Sequence, residues 1–430
     1  MLQLPIHVQL EVTDKCNLRC RHCYRLDTGQ MLKSRDLDDE RIDQLVQRLI
    51  AAKIYSLVIT GGEPLIRPEV TINAVKKAKE AGMFVSVNTN LLLFTPEIAT
   101  SLKNLDVNSL LVSCPASDPN IYRQITRCGD YNKLSAKLKL LIDFGISCMV
   151  NMVVTPTNLN FIRSTAIDME KLGVKRFAAT PASLNVEYPD SKELLNVRQT
   201  LDLLEDLRWC SDKLGLEVDI LEPMPKCFFP EWCWEKNYAF TKRVCQAGRM
   251  SVSISNSGEV RPCSHNPVSY GNLFQTTLES IWSNMSSYRE NSVPHDCQAC
   301  HTVTSCYGAC RTNSMATCHS LNEPDRFMVG CMILPAKTQG DESFNIGSII
   351  HFKGKLRWRA EGEYYSISSK RNAGNITVVN KEMFTFVTWL NDISSISIDG
   401  LLKNTAKNST QAAITKVLKF LVNREFISID

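Results

Sequence analysis

The sequence predicts an α/β chain: a partial (β/α)6 barrel, then a cysteine-rich domain, then a small winged-helix-like α+β module. Three observations carry this. Short β-branched runs alternate with amphipathic helical runs as far as about residue 220. Cysteines then crowd residues 227–331 while apolar periodicity fades. Beyond about residue 345 a β-rich stretch precedes three helical runs.

In chain order, the strand-like runs are His7–Thr13, Tyr55–Thr60, Phe84–Asn88, Ser109–Ser113, Ser147–Thr155 and Arg176–Thr180. Helical runs lie between them. The clearest is Asp38–Ala52, where Ile42, Leu45, Val46, Leu49 and Ile50 share one face, with Asp36 and Asp38 placed to cap it. Repeated β-α units require right-handed crossovers and a parallel sheet covered by helices. Six such units predict an open, TIM-like barrel with its site at the carboxyl ends of the strands.

Residues 222–336 are rich in Cys, Pro, Gly and Asn and promise little apolar core of their own. Metal ligation would supply the missing folding energy. Residues 337–430 form the third expected domain, with Lys337–Asp341 as linker. Ile346–Ser368 reads as strands, followed by helices Lys381–Leu390, Ile398–Ala406 and Gln411–Asn423.

At 430 residues the chain is too long for one core. Its net charge is +4, and residues 337–430 carry all of that excess. The total makes no case for a nucleic-acid or membrane partner. No run of about 18 apolar residues exists to span a bilayer. The opening residues lack a basic, then apolar, signal pattern, so a cytoplasmic protein is expected. Seventeen cysteines in a reducing compartment read as metal or cluster ligands rather than disulfides.

The first cysteine group is Cys16-Asn-Leu-Arg-Cys20-Arg-His-Cys23-Tyr24, directly after strand one. Three thiolates on one short loop can hold three irons of a cubane and leave the fourth iron open. A structural zinc loop is the alternative, though its cysteines usually come in matched pairs. One β-α unit later, strand two ends in Thr60-Gly61-Gly62-Glu63-Pro64. Two glycines admit a close backbone approach that a Cβ would exclude.

This C-x3-C-x2-C loop followed by Gly-Gly-Glu-Pro resembles the radical S-adenosylmethionine (SAM) superfamily. The resemblance implies a [4Fe–4S] cluster on Cys16, Cys20 and Cys23, which are the catalytic residues. It implies that the open iron binds SAM and that the cluster's electron releases a 5′-deoxyadenosyl radical. Gly61, Gly62, Glu63 and Pro64 would grip the SAM amino group. Tyr24 would lie beside the adenine, and Ser113 and Asn151 at the ends of strands four and five would meet ribose and carboxylate. Arg127 is a further carboxylate contact. Packing accounts equally well for Tyr24, and an exposed helix flank for Arg127. One departure stands out: Ser113-Cys114-Pro115-Ala116-Ser117 replaces the family's Ser-hydrophobic-Asp-Gly. Cys114 reads as a small buried hydrophobe, or else as a thiol facing substrate.

The second cysteine group resembles the SPASM domain of radical SAM peptide and protein maturases, which carries two auxiliary [4Fe–4S] clusters. Its pattern runs Cys245, Gly258, Cys263, then Cys297-x2-Cys300-x5-Cys306-x3-Cys310, and on to Cys331. The resemblance assigns Cys245, Cys263 and Cys310 to the first auxiliary cluster, with Cys233 as fourth ligand, Cys227 as its substitute, or an open site. It assigns Cys297, Cys300, Cys306 and Cys331 to the second, with Cys318 as the alternative to Cys331. Three clusters in all are expected. Paired zinc ribbons are the competing reading of these cysteines.

The terminal module resembles the PqqD-like element that binds leader peptides. Such a leader would add a strand to a sheet edge and lay apolar side chains in a groove. The resemblance implies a maturase that abstracts hydrogen from a ribosomally made precursor peptide and forms a thioether, C–C or C–O cross-link. Its partners would be the precursor peptide and an electron donor such as flavodoxin or ferredoxin. Two alternatives share parts of the pattern: an anaerobic sulfatase-maturase-like protein oxidase, and a non-enzymatic zinc-ribbon adaptor with a winged-helix nucleic-acid reader.

Overall fold

The computed structural model describes residues 2–24, 38–183, 186, 191–328, 344, 348–369, 376–405 and 411–430. The chain divides into two compact units. One is Leu4–Ala81 with Val85–Leu334; the other is Pro335–Asp430 with Met1–Gln3 and Gly82–Phe84.

The larger unit is built on nine strands: β1 (His7–Glu11), β2 (Ser56–Thr60), β3 (Phe84–Thr89), β4 (Ser109–Ser113), β5 (Cys148–Val154), β6 (Arg176–Pro181), β7 (Glu217–Asp219), β8 (Ser251–Ile254) and β9 (Val260–Arg261). Their order across the sheet is β7-β6-β5-β4-β3-β2-β1-β8-β9. β1 pairs in parallel with β2, and β3 through β7 are joined by parallel pairings. Six of these strands are the expected ones. Their Val-, Ile- and Leu-rich runs in β3, β4 and β5 alternate buried and half-buried positions, with one face packed beneath the helices.

Helices supply that cover: α1 (Asp39–Ala51), α2 (Pro68–Glu80), α3 (Pro96–Asn104), α4 (Pro119–Thr126), α5 (Tyr131–Asp143), α6 (Ile162–Lys171) and α7 (Val197–Leu214). α1 buries Ile42, Leu45, Val46 and Leu49, the face its periodicity predicts. Asp38 caps it by accepting from the Arg41 amide at 2.8 Å. The companion cap Asp36 lies outside the described residues.

The cysteine-rich segment departs from expectation. Instead of lacking a core, it extends the barrel sheet. β8 runs parallel to β1 with His7 opposite Ser251 and Leu10 opposite Ile254. β9 then returns antiparallel to β8. Val252, Ile254 and Val260 are buried. Residues on both sides of position 221 therefore belong to one compact unit. The stretch was hard to read because β8 is four residues long and β9 two, too short for periodicity to register.

The smaller unit has two three-stranded antiparallel sheets. One has the order β14-β10-β15, from Ser395–Ser397, Ile349–Phe352 and Ile427–Ile429; the other is β11-β12-β13, from Leu356–Glu361, Tyr364–Ser369 and Thr377–Asn380. Its helices are Lys381–Ile393, Ile398–Thr405 and Gln411–Asn423. Ile350, Ile367, Val387, Leu390, Leu401, Leu418, Leu421 and Phe426 form its core. The three helices match the expected ones. The strands differ, since β14 lies between helices and β15 after the last. The expected linker at Lys337–Asp341 lies outside the described residues.

Candidate functional site

The first cysteine loop leaves the carboxyl end of β1 and is held from both sides. On one side, Gly62 N donates to Thr13 O and Glu63 N to Lys15 O, each at 2.8 Å. Gly61 has φ +149°, and a Cβ there would lie 2.4 Å from Thr13 O; at Gly62 it would lie 2.2 Å from Lys15 O. The two glycines thus let the β2 exit lie flat against the chain that enters the cysteine loop. The Arg67 guanidinium secures the same stretch by donating to Val12 O at 2.8 Å. On the other side, Arg19 N and Arg21 N donate to Thr126 O and Ile125 O, the last carbonyls of α4, at 3.2 and 2.9 Å. Those carbonyls have no partner within their helix.

Glu63 is buried, and its carboxylate is engaged by the protein. Oε1 accepts from Leu65 N at 3.0 Å and Thr89 Oγ1 at 2.7 Å; Oε2 accepts from Asn90 N at 2.7 Å. Burial pushes its pKa up to about 7 against those hydrogen bonds. Glu63 therefore ties the β2 exit to the β3 exit. Pro64 is buried behind it.

The three thiols are electrostatic neighbours. Burial comes first among the causes that raise Cys16, to about 11, and Cys20, with Cys23 raising both. Cys128, which the motif did not point to, stands beside them; its thiol donates to Asn17 O at 3.5 Å. Only its fold position, on the loop after α4, brings it there. Arg127 precedes it, exposed and left-handed at φ 66°. Among the described residues, no three His, Cys, Asp or Glu side chains close round a single metal ion.

Ser113 is exposed at the end of β4 and faces Asn151 in register. Asn151 lies in the middle of β5 rather than at its end. Thr180 Oγ1 donates to Asn151 Oδ1 at 2.8 Å and accepts from Leu221 N at 3.1 Å, linking β5 to the end of β6 and the residues after β7. Cys114 is fully buried and directs its thiol to Ala116 O at 3.4 Å; burial raises it to about 12. It is a core side chain.

Tyr24, the residue after Cys23, stacks on His265, two residues after Cys263, with ring centroids 4.1 Å apart and planes 19° from parallel. Arg261 on β9 donates to the buried Glu11 of β1 at 2.7 Å. The two cysteine groups thus meet at one edge of the barrel.

The second group sorts into two sets. Burial raises both Cys263 and Cys310; Cys245 adds to each of them, and Cys263 adds to Cys310. Cys263 Sγ also contacts Thr312 Oγ1 at 3.3 Å. Cys297 has Cys306, Cys300 and Cys227 as neighbours. Tyr307, Gly308 and Ala309 are consecutively left-handed, at φ 53°, 72° and 72°, so the chain reverses between Cys306 and Cys310 and delivers them to different sets. Arg311, wholly buried, locks that reversal. It donates to Leu321 O and Glu323 O at 3.0 and 2.9 Å, to Ala309 O at 3.4 Å, and to Gly308 O.

The two candidates for the first set's fourth ligand have other neighbours as well: Cys233 has Glu205 and Arg208 of α7 as its charged neighbours, and Cys227 acts on Cys297 of the second set. Cys318 is exposed at the end of its helix, and Cys331 lies outside the described residues.

Residues 10–165 match the model of the radical SAM superfamily, and residues 245–307 match that of an iron–sulfur cluster-binding domain, SPASM. The chain is similar to the AdoMet-dependent heme synthase of Methanosarcina barkeri, at 24% identity over 78% of this chain and 99% of that protein. It is similar to the antilisterial bacteriocin subtilosin biosynthesis protein AlbA of Bacillus subtilis, at 28% identity over 65% of this chain and 60% of that protein. Among solved structures, Streptococcus suis SuiB bound to precursor peptide SuiA shares the fold, with TM-score 0.62, 16% identity, and 77% of each chain covered. The matched models and the geometry agree: the region that matches the radical SAM model and the region that matches the SPASM model share a single sheet.

Proposed function

We propose that the protein is a maturase that modifies a ribosomally made precursor peptide by radical chemistry. The observation that carries this is the Tyr24–His265 stack, which sets the first cysteine loop beside Cys263. A peptide seated between the two cysteine groups would meet radical generation on one side and an electron acceptor on the other. Relatives support the substrate class: AlbA is named for making a bacteriocin, and SuiB is bound to a precursor peptide.

Bound at Cys16, Cys20 and Cys23, a [4Fe–4S] cluster supplies the electron that cleaves SAM. The chain's own residues do the rest. Gly61 and Gly62 fix the loop that presents the thiolates. Backbone groups of the Gly61–Pro64 turn hold the SAM amino group, while Ser113, Asn151 and Arg127 meet its ribose and carboxylate. Tyr24, stacked on His265, walls the adenine end. The barrel excludes water and stray hydrogen donors. Cys245, Cys263 and Cys310 hold one auxiliary cluster and Cys297, Cys300 and Cys306 a second. The smaller unit binds the leader of the peptide along an edge strand of β11-β12-β13. Its positive excess suits an acidic leader, and tethering raises the local peptide concentration to about the mM range. The product is a cross-link by thioether, C–C or C–O bond, and flavodoxin or ferredoxin delivers the electrons.

Anaerobically reconstituted protein, given SAM, reductant and the product of a short reading frame adjacent to its gene, is expected to release 5′-deoxyadenosine and to yield peptide two hydrogens lighter per cross-link. Release of no 5′-deoxyadenosine together with an unchanged peptide mass would refute the proposal. Deleting residues after about 340 separates it from the sulfatase-maturase-like reading, which predicts retained activity.

A further inference from the structure

With Cys233 beside α7, the first auxiliary set holds three cysteines, and the structure offers a fourth donor of another kind. Glu222 follows β7 at the carboxyl end of the sheet. The preceding amide, Leu221 N, is fixed by Thr180 Oγ1. Glu222 Oε2 accepts from Ser183 Oγ at the end of β6. Glu222 Oε1 is buried and has no hydrogen-bond partner. Its thiol neighbour is Cys310: burial raises Glu222 first of all, and the Ser183 hydroxyl and the Cys310 thiol act the other way. Glu222 in turn is the largest charged influence on Cys310, ahead of Cys245 and Cys263.

An orphaned buried carboxylate oxygen is costly unless it is paired or bound to metal. Arg326 and Asp325 also act on Glu222 with opposite signs, so neither charge alone neutralises it. Three thiolates and one carboxylate in one place form a donor set of the right number for a cubane's four irons. Carboxylate oxygen is a competent iron ligand, harder than thiolate.

We propose that Glu222 binds the fourth iron of the first auxiliary cluster, completing the set of Cys245, Cys263 and Cys310. This rests on the reading that those cysteines hold a cluster, and the experiment separates the two claims. Full-length protein carrying Cys16→Ala, Cys20→Ala and Cys23→Ala, which removes the first cluster's signal, is reconstituted anaerobically. Further substitutions Glu222→Gln, Glu222→Ala, Cys310→Ser and Cys233→Ser are added singly. Iron and sulfide per chain are measured, with EPR spectra of the reduced and the mildly oxidised protein. Glu222→Gln preserves volume, so it tests ligation even if Glu222→Ala unfolds the site.

A cubane short of one protein ligand sheds its fourth iron on mild oxidation. Both Glu222 variants are therefore expected to give at least about fivefold more three-iron signal than their parent, and a changed reduced spectrum. Cys233→Ser should match the parent. Glu222 variants with the parent's spectrum and three-iron yield would overturn the proposal, as would loss of cluster iron in Cys233→Ser. If instead Cys310→Ser keeps the parent's iron and spectrum, the cluster assignment itself fails and Glu222's role falls with it.

Discussion

The two cysteine groups reach similar ends by opposite routes. In the first, three cysteines lie within eight residues, on one loop, after one strand. Neighbouring backbone holds that loop from both sides: the glycine turn after β2 and the last carbonyls of α4. In the second, cysteines from Cys227 to Cys310 are spread over a long segment and sorted by fold. A left-handed reversal divides Cys306 from Cys310, and a buried guanidinium holds that reversal. The first group is local and braced by its surroundings; the second is assembled by its own tertiary contacts. Spacing therefore marks out the first group by itself and only narrows the choice of neighbours in the second.

The sharpest way to break this contrast is Gly62→Ala. The new Cβ would meet Lys15 O at 2.2 Å, and no flexible side chain can move aside. The cysteine loop should shift and lose its cluster, lowering SAM cleavage by about 100-fold or more, since displacements near 1 Å cost that much. Iron in the second group should persist, as read by metal analysis and by 5′-deoxyadenosine release.

Arg311→Met is the mirror experiment. It removes the donors that serve four carbonyls around Cys310 and leaves them buried. The expected cost is about 3–5 kcal/mol, the range for breaking a buried charged network. Visible cluster absorbance from the second group should bleach at lower urea, while SAM cleavage by the first cluster survives. Equal loss at both groups would show that they fold as one cooperative block.

A smaller effect concerns the strand both groups share. His7 in β1 is held to a pKa of about 4 by desolvation. A buried neutral histidine has a folded pKa below its unfolded value of 6.5, so the unfolded chain binds the extra proton between those values. Stability from this group is present above pH 6.5 and is lost as pH falls toward 4. His7→Gln should flatten that part of the stability curve, measured by urea unfolding at several pH values. An unchanged curve would place the acid sensitivity elsewhere.

Much of the barrel was legible because each element carries its own signal. Strand runs rich in Val, Ile and Leu, helix faces such as that of Ile42, Leu45, Val46 and Leu49, and the Asp38 cap are local properties. β8 and β9 were not legible. They are short, and β8 pairs with β1 across some 240 residues of chain, with β9 paired to β8 in turn. The same limit hid β14 and β15 in the smaller unit. At the site, Cys16, Cys20, Cys23 and the glycine turn stood out in sequence. Cys128 and Glu222 did not, since each is an ordinary residue until folding sets it beside cysteines.

By itself the sequence determined the alternation of strand and helix, the iron-binding loop and the existence of a second cysteine group. These follow from periodicity and from donors close along the chain. Tertiary structure alone decided that the second group continues the barrel sheet, that Cys227 and Cys233 go separate ways, and that a buried carboxylate faces Cys310. Each of those outcomes depends on contacts between residues far apart in sequence, where chain reversals and burial, rather than spacing, choose the neighbours.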